Sequence, residues 1–219
     1  SMQDLTALAC SDFLSALAGP AAAPGGGGVS ALAGALGVAL GNMVGSLTVG
    51  KPKYAAVEPE IRALNSQAES LRCQLEVLIQ ADAEAFAPVA AAYRMPRATP
   101  EQAAEKAAAL EAALAGACAV PMQVMELSAQ GIALAEQYAA KGSVLAVSDA
   151  GCAAVLCQTA LRCGLLNLYA NTKLMADRSR AKELNAQAET LLTAWTGRAD
   201  RLWRQTAKDL GGEGECLSC

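Results

Sequence analysis

Residues 24–50 read PGGGGVSALAGALGVALGNMVGSLTVG, a proline and four glycines feeding an uncharged apolar run that carries further glycines. Gly25, Gly26, Gly27 and Gly28 lack Cβ atoms, so successive N–H groups can turn inward as an anion-binding nest at the positive end of the following helix. A flexible turn leading into that helix is the plainer reading of the same four residues. Gly37, Gly41 and Gly45 fall four apart on one helix face, where a second backbone can approach closely. No charge occurs from Phe13 to Gly50, and Val29 to Val49 is long enough to cross a bilayer. The run is mostly Ala and Gly, includes Ser30, Asn42, Ser46 and Thr48, and has no aromatic belt, which favours a buried central helix instead.

Outward from this stretch the periodicity is helical throughout, with no alternating strand pattern. A short helix is expected over 4–18, ended by Gly19-Pro20, and the glycine-rich helix over about 30–48, broken by Gly50-Lys51-Pro52. A long helix follows through Leu64, Leu71, Leu75, Leu78 and Ile79 to Phe86, with a kink at Pro88 before Tyr93. Thr99-Pro100-Glu101-Gln102 combines an N-cap, a first-turn proline and a capping box, so the next helix starts there and runs to Lys141, bent at Pro121. Ser148-Asp149 opens another apolar helix to Tyr169, and an amphipathic helix spans about 176–210. Gly211-Gly212 should end it and leave 211–219 frayed. The expectation is therefore an all-α, single-domain chain of thin, closely spaced helices, consistent with only 4% aromatic residues.

The formal charge of −4 without a basic block argues against nucleic acid as a partner. Ser1-Met2 reads as a residue added ahead of a native Met, and no basic segment leads into an apolar stretch and cleavage site, so a cytoplasmic location is expected. Cys10, Cys73, Cys118, Cys152, Cys157 and Cys163 sit singly in apolar helical segments and read as reduced core residues. Cys216 and Cys219 form a lone C-x-x-C with no second pair beside it. The chain has no histidine, which removes the commonest general base and metal ligand, so any chemistry must run on carboxylates, amines, thiols, hydroxyls or a tyrosine. Asp82, in LIQADAEAF, and Asp149, in AVSDAGCAA, are acids isolated in apolar helical surroundings, where an unpaired charge is costly or shifts its pKa. Each also reads as a capping or hydrogen-bonded carboxylate.

The motifs PGGGGVSALAGALGVAL (Pro24 to Leu40), MVGSLTVGKPKY (Met43 to Tyr54), LIQADAEAF (Leu78 to Phe86), AAYRMP (Ala91 to Pro96) and SDAGCAAVL (Ser148 to Leu156), followed by Asn167, Asn171 and Asp177, stand in order along the chain. In them the chain resembles the cyclodeaminase/cyclohydrolase family of folate enzymes, which includes the C-terminal domain of formiminotransferase-cyclodeaminase and stand-alone bacterial relatives. The resemblance implies an up-and-down bundle of long helices that forms a homodimer and acts, without metal, on a tetrahydrofolate derivative. It implies catalytic roles for Asp82, Asp149 and Lys51. Gly25 to Gly28, Lys53, Tyr54, Ser148, Asn167 and Asn171 would bind the substrate; Asn167 and Asn171, one turn apart, read equally as helix-to-helix hydrogen bonds, and Lys51 and Lys53 as a solvated charge pair at a helix C-terminus. Phe86 and Tyr93 fit either a core or a stacking role. Formimidoyltetrahydrofolate cyclodeamination, giving 5,10-methenyltetrahydrofolate and ammonia, is placed slightly ahead of methenyltetrahydrofolate hydrolysis to 10-formyltetrahydrofolate. Gly28, Pro52 and Ser143 depart from the family pattern, so a helical folate-binding or assembly module without catalysis is the reading from another class.

Overall fold

The helical periodicity becomes six α-helices in a computed structural model that describes residues 2–217. They are α1 (Cys10–Ala18), α2 (Gly26–Thr48), α3 (Glu58–Arg94), α4 (Pro100–Lys141), α5 (Val147–Thr172) and α6 (Arg178–Asp209), and no strand occurs among the described residues. Short links reverse the chain between successive helices, so α2 to α5 run up and down and close into a ring of four. α6 lies along α5 and α4.

The Thr99 cap forms as the sequence predicts: its hydroxyl accepts from the Gln102 N–H, and the Gln102 side chain returns to the Thr99 N–H. Other boundaries move for local reasons. The helix expected over 4–18 is split, because the Asp4 carboxylate accepts from both the N–H and the hydroxyl of Thr6 and closes a separate 3₁₀ turn, Leu5–Ala7. α3 continues through Pro88, which is exposed, so the carbonyl left unpaired by the missing N–H faces water. Gly211 to Leu217, expected to fray, fold back: the Gly212 N–H bonds to the Ala207 carbonyl, Glu215–Leu217 is a turn, and Leu217 is buried. Cys219 of the C-x-x-C lies outside the described residues. Of the cysteines expected in the core, Cys118 and Cys157 are buried and Cys163 is half-buried, whereas Cys10, Cys73 and Cys152 are exposed, since they fall on the outer arcs of their helices. Burial pushes the Cys157 thiol up to about 12 and the Cys118 thiol up to about 11, so both stay protonated at neutral pH.

The centre of the ring is built on the small face of α2. Gly34 meets Ser128 of α4 and Ala160 of α5, Gly37 meets Cys157 and Ala153 of α5, and Gly41 meets the ring of Tyr138. Tyr138 is 1% exposed, and its hydroxyl donates to Asn65 Oδ1 at 2.8 Å, beside Gly45. These contacts bring backbone to side chain with no Cβ between, so the helices sit closer than an alanine face allows. α2, α4 and the segment Val144–Thr172 each have the length and hydropathy to cross a membrane, and 56% of the most apolar window of α2 is buried inside the bundle.

A methyl group at position 45 would stand 2.6 Å from Tyr138 Cε1 and overlap Asn65 Oδ1, whereas Gly116 has open space around its Cβ position. Gly45→Ala is expected to lower unfolding stability by about 1–3 kcal/mol through overpacking. Gly116→Ala, mid-helix, is expected to raise it by up to about 1 kcal/mol. Chemical denaturation of the two variants beside the parent checks both signs.

Candidate functional site

The N-terminus of α2 has no side chain of its own to accept from its first turn, because the N-cap is Gly25. Asp82, midway along α3, supplies the acceptor: its Oδ2 receives the Gly28 N–H at 3.0 Å. This cross-helix cap starts α2 at Gly26 rather than near Ser30, so Gly26 to Gly28 form the first helical turn and not a nest-shaped loop. The glycines are needed here for close approach. A Cβ on Gly27 would overlap the Asp82 carboxylate, and one on Gly26 would lie 3.0 Å from Asn167 Oδ1.

Around this contact the start of α2, the C-terminal half of α3, the middle of α4 and the end of α5 leave an open cleft of about 340 Å³. Gly25 to Gly27 and Ala22-Ala23 form one wall, Asp82, Phe86, Val89 and Tyr93 of α3 a second, Ala117 and Pro121 of α4 a third, and Asn167, Asn171 and Leu174 the fourth. Phe86 and Tyr93 are each 48% exposed, so their rings belong to the cleft rim and not to the core. Asn167 donates its Nδ2 to the Cys163 carbonyl at 2.8 Å, and Asn171 donates to the Ala117 carbonyl at 3.4 Å. Both amides are held in place, with the carbonyl oxygen of each available to accept. Burial lifts the Asp82 carboxyl above its ordinary range, and the Gly28 N–H, which favours the ionised form, offsets part of that rise. A partly desolvated acid at a helix N-terminus, beside two fixed amides and two exposed rings, suits proton transfer on a flat, polar-edged ligand.

Lys51, Lys53, Tyr54, Ser148 and Asp149 lie at the other end of the bundle. There the Thr48 hydroxyl accepts from the Ser143 N–H at 2.8 Å, Lys51 Nζ reaches Ser143 Oγ at 3.4 Å, and the Tyr54 hydroxyl accepts from the Val144 N–H at 3.1 Å. That N–H, followed by the Lys53 ammonium 5.5 Å from the ring centre, holds the Tyr54 phenol below its ordinary pKa. Ser148 and Asp149 stand in the first turn of α5, and Asn167 is five turns further along the same helix. At 1.5 Å per residue this separates Asp149 from Asn167 by about 27 Å. Within one chain, then, the structure gathers Gly25 to Gly28, Asp82, Asn167 and Asn171, and keeps Lys51, Lys53, Tyr54, Ser148 and Asp149 together elsewhere.

The α4 wall of the cleft and Leu174 are site features that sequence reasoning missed. Pro121 was their only signal, and it reads in sequence merely as a bend. A second cleft, lined by Gln67, Gln74, Gln130 and Gln137 with Trp195 and Arg198, offers no carboxylate among its lining residues. The first cleft, which sets the partly buried Asp82 carboxylate beside two held amides, is the chemical candidate.

Comparison with known proteins bears on this geometry. The profile of the formiminotransferase-cyclodeaminase family matches residues 9–190. A methenyltetrahydrofolate cyclohydrolase of Methylorubrum extorquens is 42% identical over 180 residues, covering 82% of this chain and 86% of that one. The mouse formimidoyltransferase-cyclodeaminase is 33% identical over 180 residues, but the match spans only 33% of the mouse protein. The crystal structure of formiminotetrahydrofolate cyclodeaminase from Thermotoga maritima superposes with a TM-score of 0.77 at 28% identity, covering 91% of this chain and 97% of that one.

The raised pKa of Asp82 has a consequence for stability. The fold favours the protonated carboxyl; that preference is fully present below the unfolded-state value near pH 4 and is lost as pH rises through the folded-state value. At neutral pH the ionised group weighs against folding. Asp82→Asn, which keeps an acceptor for Gly28, is expected to melt at or above the parent temperature at pH 7, with the difference shrinking as pH falls through the raised folded-state value toward about 4. Thermal melts across that range check the sign; a variant melting well below the parent at pH 7 contradicts it.

Proposed function

The chain belongs to the formiminotransferase-cyclodeaminase family of folate enzymes, and from that membership we propose that it is a methenyltetrahydrofolate cyclohydrolase with Asp82 as its proton-transferring group. The sequence alone placed cyclodeamination slightly ahead; similarity to a stand-alone cyclohydrolase over most of that enzyme's length reverses the order. That similarity is the observation that carries the reading. Cyclodeamination is the second reading, favoured by the likeness to the Thermotoga cyclodeaminase.

In hydrolysis, water attacks the carbon that bridges N5 and N10, one of its protons is released, the bond from carbon to N5 breaks as the other proton passes to N5, and the formyl group remains on N10. One proton is released overall. The substrate carries a delocalised cation on that bridge, so a carboxylate beside it stabilises charge in the bound state and accepts the proton from water as the new bond forms. Asp82 fits this because burial moves its pKa toward neutrality, while the Gly28 N–H fixes one of its oxygens and leaves the other free for water. Asn167 and Asn171 offer carbonyl oxygens to the amino and N–H edge of a pterin, and Phe86 and Tyr93 offer faces for it to stack on. These roles explain why the cleft is apolar on its walls and polar at only a few points.

The purified protein is expected to remove the methenyl absorbance of 5,10-methenyltetrahydrofolate faster than buffer does, and to release no ammonia from 5-formimidoyltetrahydrofolate. Growth of methenyl absorbance together with ammonia would reassign it as the cyclodeaminase, and neither signal would remove both. Asp82→Asn is expected to lower kcat by about 10²–10⁴-fold. The acid limb of the parent pH profile should lie above the ordinary aspartate value, because the base must first lose its proton.

A further inference from the structure

Two prolines stand in the interior of long helices, and their surroundings differ. Each lacks the N–H that would pair with the carbonyl four residues back, and its ring crowds that carbonyl. At Pro88, in α3, the freed carbonyl faces water. Pro121, in α4, is buried, and the carbonyl it frees belongs to Ala117, which is only 9% exposed. A carbonyl kept from water must find a partner in the protein. It finds one on another helix, because Asn171 Nδ2 of α5 donates to it at 3.4 Å. We infer that Pro121 is a positioning residue of the cleft: by freeing the Ala117 carbonyl it anchors the Asn171 amide nitrogen, and so turns the Asn171 carbonyl oxygen toward the bound ligand.

The packing of α4 on α5 delivers the two groups to each other. The helices touch at Pro121 through a glycine: a Cβ on Gly164 would stand 2.7 Å from Met125 Cγ and 3.5 Å from the Pro121 carbonyl oxygen. Asn171 follows Gly164 by seven residues, two turns along the same face, and Ala117 precedes Pro121 by about one turn. α4 and α5 run antiparallel, so the face that packs at Pro121 brings Asn171 to Ala117. Beyond Asn171 the chain is tied to α4 again, where the Glu111 carboxylate accepts the N–H of Ala176 at 2.6 Å and that of Asp177 at 3.1 Å. An amide is planar, with nitrogen and oxygen at opposite corners, so a nitrogen committed to α4 leaves the oxygen on the other side. Asn167 gives the contrast. Its Nδ2 donates to the Cys163 carbonyl one turn back in its own helix, a bond that asks nothing of a neighbour. Only Asn171 depends on a carbonyl leaning out of another helix, and only a residue without an N–H leaves that carbonyl unclaimed.

The identity of the ligand rests on the folate reading, whereas the contact does not, so two sets of single and double variants separate them. In thermal melts, Asn171→Ala is expected to lower the melting temperature of the parent, because it strands the buried Ala117 carbonyl. In a Pro121→Ala background the same change should cost little, since the restored backbone N–H satisfies that carbonyl within the helix. An equal drop in both backgrounds overturns the contact. With whichever of the methenyl and formimidoyl folates the parent turns over, Pro121→Ala is expected to raise KM about 3–10-fold and leave kcat within about twofold, the mark of lost binding and not of lost chemistry. Asn171→Ala should raise KM at least as much, and the double variant should be no worse than Asn171→Ala alone. An unchanged KM in Pro121→Ala, or effects that multiply in the double variant, overturn the positioning role. A parent inert towards both folates removes the proposed function and with it the ligand assigned to Asn171, and the contact then stands or falls on the melts.

Discussion

The structure depends on one contact: the Asp82 carboxylate of α3 laid against the glycine turn that begins α2. It serves the fold by accepting the N–H that no side chain of α2 can satisfy. It serves the site by holding an acid in a partly dry position, where the helix dipole favours its charge and burial opposes it. The net result is a carboxyl held above its ordinary range. Replacing Gly27 by any residue with a Cβ would force the carboxylate away.

The same demand for proximity runs down α2. Gly34, Gly37, Gly41 and Gly45 let Ser128, Cys157, Ala153, Tyr138 and Asn65 come close enough to fill the centre of the bundle without large aromatic residues. A ring of four helices drawn together this tightly has no room for a ligand between them. The cleft forms where α2 begins, against α3, the middle of α4 and the end of α5, and glycine and alanine line it while its polar side chains come from α3 and α5.

Much of this was legible in the sequence because glycine spacing, capping residues and apolar periodicity are local signals. Thr99 to Gln102 named a helix start, and the isolation of Asp82 among apolar residues marked it as a partly desolvated acid. What was not legible is tertiary. Gly26 to Gly28 are poor helix formers, so the sequence assigned them to a loop; only the carboxylate arriving from 54 residues away turns them into a helical turn. The distance between Asp82 and Asp149 was equally hidden, since motif order says nothing about which end of an up-and-down bundle each helix terminus reaches. Phe86 and Tyr93 could not be sorted between core and cleft, because their spacing fits both and their exposure alone decides.

Seven glycines in one 23-residue helix also govern when that helix can exist. Each costs up to about 1 kcal/mol of helix stability relative to alanine, so an isolated α2 would spend most of its time as coil. The groups that hold it straight, on α3, α4 and α5, are all synthesised after it. On a growing chain, the segment that will become the central rod is therefore made early and stays pliable. It hardens only when the last of its neighbours has been laid down.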